Sequence, residues 1–286
     1  MIEFGLFEIA TVASMVLLAG SSGAADDQAE PADDDKDTPA GGLGDPVDVE
    51  FTASLDGSVQ RYVKMLPEGF DAEKRHDVLI GLHGRGSDRW QYAKNERGEC
   101  SGARDVAARF NMIYISPDYR GTDAGMNTQA EADLLQIISM LREEYRIGKV
   151  FLTGGSMGGI SVLIFAARHP GLVHGAVSAN GKADWLFRDP DDPAATTGDE
   201  QQKADRVDSR APEFTPEEFT MPVAFTVGGD DPVVPPDSVR RLYAKLQQLG
   251  KRDVLLIDRP NAGHATNYAD TVASLEFVIR AAAESE

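Results

Sequence analysis

Val150-Phe151-Leu152-Thr153-Gly154-Gly155-Ser156-Met157-Gly158-Gly159 runs from four apolar or β-branched residues into glycines that bracket one serine. Ile160–Arg168 then continues as an apolar stretch of helical length. Strand, sharp turn and helix form the context in which G-x-S-x-G has chemical meaning. The bare pattern would arise by chance in about one chain in ten, so the flanking elements carry the reading. Glycines without Cβ atoms let strand and helix pass closely, and the serine is expected in a strained turn. Its hydroxyl then stands at a helix N-terminus, where free N–H groups and the helix dipole favour developing negative charge.

Working outward, Val78–Leu82, Met112–Ser116, Val150–Thr153, Val173–Ser178, Val223–Val227 and Val254–Ile257 read as buried strands. Gly102–Phe110, Thr128–Tyr145, Met157–Arg168, Asp237–Leu249 and Tyr268–Ala283 read as helices between them. In Thr128–Tyr145 the apolar Leu134, Ile137, Ile138 and Leu141 recur at helical spacing. Continuous apolar strands alternating with helices predict a mostly parallel, doubly wound sheet covered on both faces. Val49–Ala53 and Ser58–Lys64 flank the turn signal Leu55-Asp56-Gly57 and predict a leading antiparallel hairpin.

The flanks differ in kind. Ile9–Gly20 is an apolar run too short to span a bilayer. Ser22 and Ala24 form a small-x-small site after it, so residues 1–24 are read as a signal peptide and the protein as secreted or periplasmic. Glu3 and Glu8 stand where a positive start is usual. Residues 25–46, rich in Asp, Glu, Ala, Gly and Pro, cannot repay their ordering entropy and are expected to be an acidic, disordered linker. Asp33, Asp35 and Asp37 begin like a calcium loop, but Thr38 and Gly44 replace its essential glycine and glutamate. One catalytic domain is expected over 47–286, with a cap-like insertion at about 182–220 that carries Trp185 and Phe187 as candidate substrate contacts.

Net charge is −19, from 47 Asp and Glu against 28 Lys and Arg. Twelve of the acids and one lysine fall within residues 1–50. Phosphate-backbone binding needs clustered bases, so nucleic acid is not an expected partner. The single cysteine, Cys100, excludes an intramolecular disulfide and a multi-cysteine metal site.

A nucleophilic serine needs a base and an orienting acid, which in this architecture follow it in the order Ser, Asp, His. Gly228-Gly229-Asp230-Asp231-Pro232 follows one strand and Gly263-His264 another, both beyond strand C-termini, where parallel sheets build sites. Only one of the adjacent Asp230 and Asp231 can reach the histidine, and Asp231 is the one that precedes Pro232. Pro232 biases it toward extended backbone, and adjacent side chains in an extended loop point opposite ways. Leu82-His83-Gly84-Arg85-Gly86 can aim the Arg85 N–H at an acyl oxygen alongside the N–H of Met157. His83 is read as a loop-pinning residue rather than a base or ligand.

Together these motifs resemble α/β-hydrolases of the secreted esterase type. They are similar to polyhydroxybutyrate depolymerases, feruloyl and acetylxylan esterases, and the catalytic domain of the prolyl oligopeptidase family. The matching residues are Leu82–Gly86, Pro117-Asp118-Tyr119-Arg120-Gly121, Gly154–Gly159, Arg168-His169-Pro170, Asp231–Pro235 and Gly263-His264, within Val47 to Ala283. The cysteines of secreted depolymerases are missing, and the propeller of larger oligopeptidases is not expected. The resemblance implies an α/β-hydrolase fold and two-step acyl transfer by Ser156, His264 and Asp231, which stands in the acid position of the family's loop where Asp230 does not, with no metal or organic cofactor. A small-molecule or polysaccharide-linked ester is the expected substrate. A serine peptidase is the alternative, and an inactive binding protein on the same fold a third reading.

Overall fold

The computed structural model describes residues 41–185 and 211–284. The apolar runs form eight strands: β1 (Val47–Thr52), β2 (Val59–Met65), β3 (His76–Leu82), β4 (Ile113–Pro117), β5 (Ile147–Gly155), β6 (Gly175–Ala179), β7 (Val223–Gly228) and β8 (Val254–Arg259). They make one sheet in the order β1-β2-β4-β3-β5-β6-β7-β8. The expected leading hairpin pairs antiparallel, as does β2 with β4, and every other pairing is parallel. This is the α/β-hydrolase architecture.

Period-two alternation explains the two cores. Val78, Ile80, Val150, Leu152, Val223 and Phe225 face one layer, while Leu79, Phe151 and Ala224 face the other. The first layer is covered by α3 (Thr128–Glu144), α4 (Met157–Arg168) and α5 (Asp237–Gln248). The second is covered by α1 (Trp90–Lys94), α2 (Gly98–Arg109) and α6 (Tyr268–Glu284). Asn127 caps α3 by accepting the Ala130 N–H at 2.9 Å.

Three departures from the sequence reading have physical causes. Helix α1 is a single turn, too short to show periodicity. Helix α2 starts at Gly98, not Gly102, because tertiary packing overrides glycine's low propensity: a Cβ at Gly98 would lie 2.3 Å from the Tyr268 nitrogen. Ordered pairing also begins before Val47, since Gly44 N–H donates to the Leu66 carbonyl and Glu68 N–H to that of Gly42. The expected signal peptide, most of the expected linker, Phe187 and the middle of the expected insertion lie outside the described residues.

The two described ends of the insertion meet on α5. Ala183 donates its N–H to Ser238 Oγ at 3.0 Å and accepts the Glu213 N–H at 2.9 Å. The buried Glu213 carboxylate takes a forked bond from Arg241 at 2.7 and 2.8 Å.

Candidate active site

The chain passes from β3 outward to β4, then crosses back over β3 to β5. This puts the topological switch point between β3 and β5, where open parallel sheets bind their ligands. Their C-terminal ends lie side by side, Leu82 opposite Gly154. The loop after β3 and the serine turn after β5 therefore face one crevice.

Ser156 has φ +57° and ψ −119°, a conformation that side chains rarely adopt. Close packing enforces it. A Cβ at Gly158 would stand 2.0 Å from the Leu82 carbonyl oxygen, and one at Gly154 would stand 2.6 Å from the Gly158 backbone. Helix α4, buried from Met157 to Ala167, holds the turn from below, and Ser156 N–H donates to the Ala179 carbonyl at 2.8 Å. As the first residue of α4, Met157 has an N–H with no acceptor inside the helix.

The three residues assigned from sequence come together. His264 Nε2 lies 3.0 Å from Ser156 Oγ, and His264 Nδ1 lies 2.6 Å from Asp231 Oδ2. Asp231 is buried, and its Oδ1 accepts the Val233 and Val234 N–H groups at 2.8 and 2.9 Å. Asp230 is exposed. Its N–H donates to the Ala262 carbonyl and that of Gly229 to Arg259, which ties the acid loop to the histidine loop.

On the other wall, His83 is fully buried. Nε2 lies 3.1 Å from the Asp118 carbonyl and Nδ1 lies 2.9 Å from that of Gly84, while Tyr119 OH donates to the His83 carbonyl. The ring pins the loop. Arg85 lines the cleft, but its side chain points to solvent and pairs with Asp123 at 2.9 Å. Trp185 is half exposed at the rim, with Lys182 Nζ 5.1 Å from its ring centre.

Sequence reasoning missed two further residues. Gln91, on the single-turn α1, accepts the Gly84 N–H at 2.8 Å. Asn180, at φ +46° just beyond β6, donates from its side chain to the Ala265 carbonyl at 2.8 Å, next to His264. The turn dipeptide Asn180-Gly181 after a strand was the only local signal for either. The cleft, about 800 Å³, is of the size that takes a small organic ligand. Among the described residues no group of three or more His, Cys, Asp or Glu is placed to hold a metal ion.

The model of the prolyl oligopeptidase family matches residues 101–279, well over half of the chain. Feruloyl esterase C of Emericella nidulans is 28% identical over 105 residues, which are 35% of this chain and 38% of that protein. A thermostable esterase superposes with TM-score 0.59 at 18% identity, over 84% of this chain and 62% of its own. Fluorophosphonate-binding serine hydrolase F of Staphylococcus aureus superposes with TM-score 0.60 at 16% identity, over 84% and 98%. The chain thus spans less than two thirds of the first two relatives. With its α/β-hydrolase sheet and this match, the chain belongs to the prolyl oligopeptidase family of serine hydrolases.

Proposed function

We propose that the protein hydrolyses carboxylic esters through an acyl-enzyme on Ser156. The observation that carries this is His264, whose two ring nitrogens reach Ser156 Oγ and the buried Asp231 carboxylate at once. His264 Nε2 takes the hydroxyl proton as Ser156 attacks the acyl carbon. Asp231 holds the ring in the tautomer that leaves Nε2 free to accept, and it stabilises the imidazolium that forms. The N–H groups of Met157 and Arg85 receive the developing oxyanion, preorganised by α4 and by the clasp of His83 and Gln91 on the β3 loop. The proton on His264 then leaves with the alcohol. Water, deprotonated by the same imidazole, attacks the acyl-enzyme and releases the acid. Trp185 offers an aromatic surface to the substrate at the rim. The N-terminal apolar segment supports export, which N-terminal sequencing of the mature protein checks.

Peptide hydrolysis is the second reading. It is favoured by the family match and by Glu99, a buried carboxylate of the cleft wall that accepts from Thr266 Oγ1 at 2.5 Å and could receive an amino terminus. A side-by-side panel of p-nitrophenyl esters and aminoacyl-nitroanilides separates the two. Turnover confined to the esters is expected, and faster turnover of the nitroanilides would reverse the order.

A further inference from the structure

The chain carries 47 acids against 28 Lys and Arg, yet among the described residues the charges lining the cleft reverse that balance. Arg97 and Lys182 line it, with Arg85 turned outward at its edge, against one described carboxylate, Glu99. Asp231 lies behind His264 with its side chain 1% exposed, so its charge is spent on the imidazole and on two backbone N–H groups.

The three cations are weakly committed. Arg97 is 67% exposed, and its ion pair with Glu99 is long at 3.9 Å. Arg85 pairs with Asp123, but both side chains stand more than 60% in water, where such a pair holds little energy. Lys182 reaches Asp184 at 3.3 Å, and that carboxylate also serves Arg241 at 3.5 Å. Cations gathered at the mouth of a crevice raise the local concentration of an oppositely charged substrate.

Resting on the ester-hydrolase reading, we infer that the preferred substrate is an ester bearing a carboxylate, held by Arg97 and Lys182, which line the same cleft as Ser156. The carboxylate replaces water around two under-paired cations, while Trp185 and the exposed Val233 take the apolar remainder. The same field disfavours a cationic amino terminus near Glu99, so charge also separates the ester from the peptide reading.

Two matched pairs test this. Monomethyl glutarate against methyl valerate places the carboxylate on the acyl side, and 4-acetoxybenzoate against its methyl ester places it on the alcohol side. At low salt, kcat/KM for the anionic member of at least one pair should exceed that of its neutral partner by about tenfold. The ratio should collapse near 1 M salt, where the screening length falls to about 3 Å. Arg97→Gln and Lys182→Gln should each shrink it, and the double variant should remove it. Ratios near one in both pairs, on protein that still reacts with a fluorophosphonate at Ser156, overturn the charge assignment and leave the hydrolase reading standing. If no ester is turned over and no label enters, the hydrolase reading fails. Calorimetric titration of Ser156→Ala with the same four compounds then decides the anion site: tighter binding of an anionic member supports it, and equal binding overturns it.

Discussion

Of the polar chains among the described residues, two invite comparison, and under the proposed function only one of them reacts. Asp231–His264–Ser156 joins three loops at the C-terminal end of the sheet. Asp133–Arg120–Asp56 joins α3, the loop after β4 and the leading hairpin turn. Each has a buried carboxylate at its root, with Asp231 1% and Asp133 2% exposed at the side chain. Each also has a residue of positive φ, Ser156 in one and Arg120 in the other. They differ in the central group. An imidazole can take and return a proton near neutral pH, whereas a guanidinium stays charged. Arg120 is saturated, bonded to Asp133, Asp56 and Ser58 and 11% exposed, while His264 is 26% exposed and faces a cleft. A polar chain becomes a site when its middle member can change protonation and its end opens on a cavity; otherwise it is a clasp.

The first way to break that comparison is at the roots. Asp231→Asn should lose about four orders of magnitude in kcat, because the imidazole is then held in the wrong tautomer. Its circular dichroism spectrum should not change. Asp230→Asn, on the exposed neighbour, should cost less than about tenfold. A reversed outcome would place the acid one residue earlier.

Arg120→Ala should do the opposite. Burial pushes the Asp133 carboxyl up, against the pull of Arg120, so the pair is no great source of net stability. Removing the arginine alone leaves a carboxylate stranded in the core, at a cost of about 3–5 kcal/mol. Urea denaturation should show that loss while kcat per folded molecule stays near wild type. A large fall in kcat at unchanged stability would make the clasp part of the site.

The smallest effect concerns His174, which neither chain uses. Burial pushes its imidazole below the usual 6.5, and Nδ1 accepts the Val150 N–H at 3.1 Å, which requires the neutral ring. The unfolded chain therefore binds this proton more readily than the folded one. The contribution is complete above about pH 6.5 and is lost as pH falls below it. The denaturation midpoint should drop slightly from pH 7.5 to 5.5, and His174→Gln should remove part of that drop.

Much of this was legible in the sequence because the signals were local. Met157–Arg168 begins and ends where read, since glycines and an apolar run define it from both sides. Asp231 and His264 could be proposed because each follows a strand end in the required order, and the likeness of Asp231–Pro235 to the family's acid loop favoured one acid over its neighbour. The roles of Gln91 and Asn180 were illegible for the opposite reason, whatever the Asn180-Gly181 turn signalled locally: each acts on a backbone group that only the tertiary fold brings near. Gly98 was passed over as a helix start because its reason is the backbone of Tyr268, far along the chain.

The central claim is that the strained turn makes Ser156 the nucleophile and His264 activates it. Intact-mass analysis after a stoichiometric fluorophosphonate, with peptide mapping, tests it most directly. The account predicts one adduct per chain, on Ser156, absent from Ser156→Ala and strongly slowed in His264→Ala, with ester turnover in the serine variant down by about a million-fold. An adduct on another residue, or labelling that persists in Ser156→Ala, would contradict it.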